Sequence, residues 1–150
     1  MSLWAVLNFL SITMKILKIK TYQMKNVYTE NHFFILSKGL NAGKPMEKPC
    51  PNCFVMFAKS EEEKNRLYWL CFGLWQGNFF RPFLTGSVIP FIRLDDLKTV
   101  IHEALSKINS TEFEKSISVM QDLQKHHENI SKQLELIRQT KKSLMHRILK

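Results

Sequence analysis

The chain has 150 residues, 45% of them hydrophobic and 11 of them phenylalanine, which is enough for one ordinary core and too few for several domains. Lys and Arg number 22 against 13 Asp and Glu, a net charge of +9 that turns the candidate partners toward polyanions such as nucleic acid or an acidic membrane surface. Three cysteines without a secretory pattern exclude a fully paired disulfide framework and point to a reducing cytoplasm.

The excess charge sits at the two ends. Residues 1–60 hold 8 basic and 2 acidic groups, residues 61–106 hold 5 and 6, and residues 107–150 hold 9 and 5. The opening run to Thr13 is apolar, lacks a basic leader, and is too short to span a bilayer. It is either a mis-assigned start ahead of Met14 or a hydrophobic tail that packs on the core or a membrane.

From Met14 to Lys20, Ile16, Leu17 and Ile19 interleave with three lysines, the rough alternation of an edge strand guarded by charge. His32–Ser37 is a short apolar run ending at Gly39 and reads as a buried strand. A loop rich in Gly and Pro follows through Pro51, and Cys53–Ala58 reads as a second buried strand.

Ser60 precedes Glu63 at capping-box spacing, so a helix begins there with an acidic first turn. Leu67, Leu70, Cys71, Leu74 and Trp75 line one face and Tyr68, Trp69 and Phe72 another, which predicts a helix buried nearly all round and ending near Gly77. Phe79–Leu84 reads as an aromatic turn or extended piece broken by Pro82, and Gly86–Arg93 as a turn leading into a strand. Asp95 is placed to cap a helix with Leu97, Val100, Ile101, Ala104, Leu105 and Ile108 on one stripe.

Thr111 and Glu114 form a second capping box, and neither proline nor glycine interrupts the chain from there to Lys150. One long helix is expected, with a seam at Phe113, Met120, Leu123, Ile130, Leu134, Ile137, Leu144 and Ile148. His127 and Lys141 occupy apolar slots of that seam and Ile117 is one place off phase, which favours a short antiparallel or intramolecular coil over a long ideal dimer. The expected fold class is α+β: a small mixed sheet with a buried helix over about 60–76, then the long C-terminal helix, with the globular domain spanning residues 14–108 and the helical arm 109–150.

No Ser/His/Asp set, phosphate loop or dinucleotide fingerprint occurs, so the expectation is a protein without catalysis or cofactor. Cys50-Pro-Asn-Cys53 has the spacing of half a zinc site or of a dithiol pair. The second half is missing, and a tight loop with two half-buried thiols is the plainer account. The adjacent His126 and His127 point about 100° apart on a helix and cannot jointly ligate. Lys38, Lys44 and Lys48, with Asn41 and Asn52, combine cations and amides in one loop, the chemistry of phosphate positioning and base-edge reading. A solvated loop accounts for them equally well.

The stretch Tyr68–Val100, with its apolar helix, Phe79–Leu84 link, Gly86-Ser-Val-Ile-Pro90 turn and Asp95–Leu97 helix start, resembles target-recognition domains of type I restriction-modification specificity subunits. Asn129–Leu149 is similar to the helical spacer that follows such a domain. The resemblance implies a cytoplasmic bacterial protein, half of a specificity subunit, whose globular domain binds duplex DNA through Lys38, Asn41, Lys44, Lys48, Asn52, Arg81 and Arg93. Its spacer helix would pair with a second copy or with a methyltransferase subunit.

Two departures weaken that likeness. The chain carries one recognition unit rather than two, and Ile101–Ile108 is helical where the family has a proline-rich passage. Ser37–Pro45 and Pro49–Cys53 are also similar to an uncharacterised family of small proteins found near bacterial mobile elements. That likeness carries no known function; the alternative to DNA recognition is a protein-interaction or regulatory module of a mobile element with no DNA or ligand site.

Overall fold

A computed structural model describes residues 17–150, and the reading of residues 1–13 lies outside them. The chain is α+β. Four strands, β1 Ile19–Thr21, β2 His32–Leu36, β3 Pro45–Met46 and β4 Cys53–Phe57, form one sheet in the order β1-β4-β2-β3. Every pair is antiparallel, so the sheet is not mixed as expected. The expectation treated Ser37–Pro51 as loop throughout and missed β3, a two-residue edge that pairs Met46 with Phe34.

The central strands β2 and β4 are covered on both faces, which is why both read as continuous apolar runs rather than alternating ones. Phe33, Ile35, Phe54 and Met56 belong to the main core, while Phe34, Cys53 and Val55 form a second cluster packed by Tyr22, Tyr28, Met46 and Phe57. β1 takes the outer edge, and Lys18 just ahead of it reaches Glu30 at 2.7 Å and lies 4.6 Å over the Phe57 ring.

Helix α1, Glu61–Gln76, starts as its sequence predicts: the Ser60 hydroxyl accepts the Glu63 amide at 3.1 Å, and the Glu63 carboxylate accepts the Lys59 amide. Leu67, Leu70, Cys71 and Leu74 enter the core. The opposite side is not buried as expected. Tyr68, Trp69, Phe72 and Trp75 are half-exposed and meet edge to face in a ladder with ring centroids 5.0–5.8 Å apart. Aromatic pairs of this kind cover part of one another's rings, and Tyr68 and Trp75 also pack against the main core.

Phe79–Leu84 is a turn, as one of the two readings has it, with 3₁₀ residues at Arg81–Phe83, whereas Gly86–Arg93 contains no strand. Only single bridges, Thr85 with Phe91 and Lys38 with Phe91, order that segment. Helix α2, Leu94–Lys107, starts after Arg93 and not after Asp95, whose carboxylate lies in the first turn, where a negative charge still favours the helix. Its Leu97, Val100 and Ile101 complete the core.

Helix α3 runs Ser110–Ile148, 39 residues without interruption. The cap falls on Asn109, whose side-chain oxygen accepts the Thr111 amide at 3.2 Å, instead of on Thr111. The described residues separate into two compact units, one ending at Phe113 and the other running Glu114–Lys150, with the division inside α3. Ile117, which the heptad pattern set off phase, is buried, whereas Leu123, Ile130, Leu134, Ile137, Leu144 and Ile148 are each half or more exposed.

Gly43 leaves no room for a side chain. Its φ of 97° is left-handed, and a Cβ there would sit inside the van der Waals envelope of the buried Phe80 ring. Replacing it combines backbone strain with overpacking, so Gly43→Ala is expected to lower unfolding stability by about 2–4 kcal/mol, checked by urea denaturation.

Candidate functional site

The loop between β2 and β3 is two consecutive tight turns. Ala42 donates to Gly39 and Lys44 to Asn41, each at 3.0 Å, while the Gly43 amide donates to the Leu36 carbonyl at 2.7 Å and the Leu36 amide to the Lys44 carbonyl at 2.9 Å. Ala42 and Gly43 point inward, which leaves Asn41 and Lys44 outward. Their backbone is fixed by hydrogen bonds at both ends, so the side chains project from a rigid support.

Opposite this loop, α1 ends in a Schellman motif. Phe79 donates to Leu74 at 2.9 Å and Asn78 to Trp75 at 3.0 Å, with Asn78 at φ 61° in the left-handed conformation that this motif requires at its C′ position. The sequence points to Gly77 for the helix end. Asn takes the left-handed place because its short polar side chain tolerates that region better than most residues. The Arg81 amide then donates to the Asn78 carbonyl at 3.1 Å, which carries the 3₁₀ turn away from the helix end.

Between the loop and the helix end lies a concavity of about 230 Å³ lined by Asn41, Trp75, Gln76, Asn78, Phe80 and Arg81 among others. Lys44 Nζ stands 5.0 Å over the Trp75 ring, a cation–π geometry that parks a positive charge at its rim. The concavity thus offers three side-chain amides, a guanidinium and an aromatic wall. Being at the C-terminal end of α1, it faces the negative pole of the helix dipole, which disfavours a buried phosphate and suits neutral hydrogen-bonding groups.

Of the seven residues expected to touch DNA, all exposed, Asn41, Lys44 and Arg81 come together here. Lys38 and Arg93 flank a neighbouring junction, where Gly39 donates to Pro90 at 2.7 Å and Ile92 to Ser37 at 3.0 Å. Lys48 and Asn52 lie in the loop before β4, which joins the rest through the Ser37 amide and the Asn52 carbonyl at 2.9 Å. Trp75, Gln76 and Asn78 escaped the sequence reading. The polar run Gln76-Gly-Asn78 closing an apolar helix was the available signal.

A second, broader hollow of about 610 Å³ lies beside β1 and is rimmed by Lys18, Lys20 and Lys25, with Tyr28 and Phe57 on its wall.

The two cysteines of Cys50-Pro-Asn-Cys53 engage one another's backbone: Cys53 Sγ donates to the Cys50 carbonyl at 2.9 Å and accepts the Cys50 amide at 3.5 Å. Burial pushes the Cys53 thiol up to about 11, with the nearby Cys50 thiol adding to the rise while the backbone bond opposes it. Burial alone raises Cys71 further. Among the described residues no three His, Cys, Asp or Glu side chains gather as metal ligands, and no helix is long and apolar enough to cross a membrane.

Comparison with known families gives a match over residues 19–147 to the Family of unknown function (DUF6943). The chain belongs to this family. The match agrees with the likeness to an uncharacterised small-protein family and spans both the sheet domain and nearly all of α3. No curated protein and no solved structure matches the chain.

The raised Cys53 value has a pH consequence. A thiol that ionises near 9.0 when unfolded and near 11 when folded holds its proton longer in the native state. Its contribution to stability is complete below about pH 9 and lost as pH rises toward 11. Chemical denaturation across that range should show falling stability in the wild type and a shallower fall in Cys53→Ala.

Proposed function

We propose that the globular unit is a non-catalytic DNA-binding domain, with the concavity at the end of α1 reading base edges and the surrounding lysines holding phosphates. The observation that carries this reading is the convergence of Asn41, Lys44 and Arg81, from two separate segments, beside Gln76 and Asn78. Arg and amide side chains make the bidentate contacts that distinguish guanine and adenine in the major groove. Lys38 and Lys48, both exposed, supply charge without sequence information. The chain's net charge of +9 supports the same polyanionic partner.

In its finer form the reading follows the likeness to type I specificity subunits. The chain would act as half of such a subunit, with the globular domain choosing the sequence and α3 setting the spacing to its partner. A second reading, a protein-docking module of a mobile element, is favoured by one observation: Leu40, Val88 and Ile89, on loops tied together by the Gly39–Pro90 bond, are 80%, 90% and 62% exposed.

Fluorescence anisotropy with a random-sequence duplex pool at low salt tests the first reading. Binding should weaken steeply as salt rises, Lys48→Ala should lower the slope of that dependence by about one, and Arg81→Ala should cost about 1–3 kcal/mol on a selected target sequence. Absence of binding at low salt overturns DNA recognition. Binding that is unaffected by Arg81→Ala and Asn41→Ala moves the site away from the concavity.

A further inference from the structure

The broader hollow beside β1 is lined without any helix residue. Its walls come from Lys18 and β1, from the loop of residues 22–31 that leads to β2, and from Phe57 at the end of β4. That loop is held at both ends and across its middle. At its start the Tyr22 amide donates to the Cys53 carbonyl at 3.0 Å, and at its end the Ala58 amide donates to the Asn31 carbonyl at 2.8 Å. Between these ties the Tyr28 hydroxyl accepts the Gln23 amide at 3.1 Å, and the Asn26 amide donates to the Gln23 carbonyl at 3.0 Å. The walls therefore stand in place before a ligand arrives, which spares the ligand much of the entropy of ordering them.

The charges around this space do not balance. Both oxygens of Glu30 lie 2.7 Å from Lys18 Nζ, so the one carboxylate among the described lining residues is already engaged. Lys18 is further occupied by the Phe57 ring, 4.6 Å from its ammonium. Lys20 and Lys25 line the same hollow, and neither has an ion-pair partner among the described residues. Two uncompensated ammonium groups on one concave surface attract an anion, and lysine serves phosphate as a point charge with three donors.

A phosphate alone would fill a small part of the space. The hollow holds about 610 Å³, inside the range of roughly 300–1,000 Å³ over which small-molecule sites fall. Tyr28 and Phe57 are half-buried and give its wall aromatic surface on which a base can lie. Thr21 and Asn26 add a hydroxyl and an amide for a sugar or a base edge. We infer that the hollow binds a nucleotide, its phosphate between Lys20 and Lys25 and its base against Tyr28 and Phe57. No residue of the concavity at the end of α1 takes part, so the inference stands or falls apart from the duplex reading.

The test is isothermal titration calorimetry of the full chain at low salt with four probes: inorganic phosphate, ribose 5-phosphate, adenosine 5′-monophosphate and a single-stranded DNA octamer of adenines. The monophosphate should bind at least about fivefold more tightly than ribose 5-phosphate, the difference being the base on the aromatic wall. Lys20→Ala with Lys25→Ala should weaken monophosphate binding about tenfold or more, since charge-assisted hydrogen bonds are lost, while arginine at both positions keeps it. Arg81→Ala should leave it unchanged. Both lysines are exposed, and circular dichroism checks the fold of the double variant; should that variant be destabilised, Lys20→Ala and Lys25→Ala singly should each lose about threefold or more. An octamer that binds more tightly than the monophosphate, with the same dependence on the two lysines, assigns the nucleotide to a strand; an octamer that binds equally or more weakly assigns it to a free nucleotide. Either result supports the inference. Absence of binding by both overturns it, as does inorganic phosphate or ribose 5-phosphate binding as tightly as the monophosphate, which makes the hollow a bare anion site. Binding that survives loss of both lysines, or falls with Arg81→Ala, lies elsewhere and overturns it as well.

Discussion

The contact between Gly43 and Phe80 is the constraint on which the arrangement of the candidate site depends. Phe80 is buried in the main core directly after α1, and its ring occupies the space that any side chain at position 43 would need. The β2–β3 loop can therefore close down on the ring only with glycine in a left-handed conformation there. That closure brings Asn41 and Lys44 within reach of the helix end carrying Trp75, Gln76, Asn78 and Arg81. Loop and helix end are held by one buried ring, so the concavity is largely formed before anything binds, and little ordering entropy is left for a ligand to overcome.

The sheet contributes to this rigidity from below. Because β2 and β4 are packed on both faces, neither can slip by one residue without moving Phe33, Ile35, Phe54 and Met56 out of the main core. The smaller cluster of Phe34, Cys53 and Val55 with Tyr22 and Tyr28 locks the same register from the other side. Cys53 belongs to that packing. Its high thiol value reflects a place in the apolar layer, and a half-buried Cys50 three residues earlier fits the same structural role.

What the sequence made legible was whatever depends on local chemistry. The capping box at Ser60, the apolar runs of β2 and β4, the stripe of α2 and the unbroken length of α3 all follow from spacing, and the structure contains each of them. The misreadings came from tertiary choices between near-equal local options. Asn109 rather than Thr111 capped α3, and Arg93 preceded α2 where Asp95 had the better side chain. Gly86–Arg93 has strand-like composition but pairs only through isolated bridges, because Phe91 meets both Thr85 and Lys38 without continuing along either. The site was half visible for the same reason. Lysines and asparagines in a Gly/Pro loop stand out, whereas Trp75 and Gln76 look like ordinary helix residues until the chain folds the loop over them.

All four strands lie between Ile19 and Phe57, ahead of every described helix. A ribosome delivers these strands ahead of α1, α2 and α3, and when the last strand emerges α1 is still enclosed in the exit tunnel. During that interval Phe33, Ile35, Phe54 and Met56, on the helix-facing side of the sheet, lack the α1 and α2 side chains that pack on them in the finished fold. Lys18, Lys20 and Glu30 around the outer edge then serve a second purpose, since charge along a strand margin keeps half-made sheets on neighbouring ribosomes from joining edge to edge.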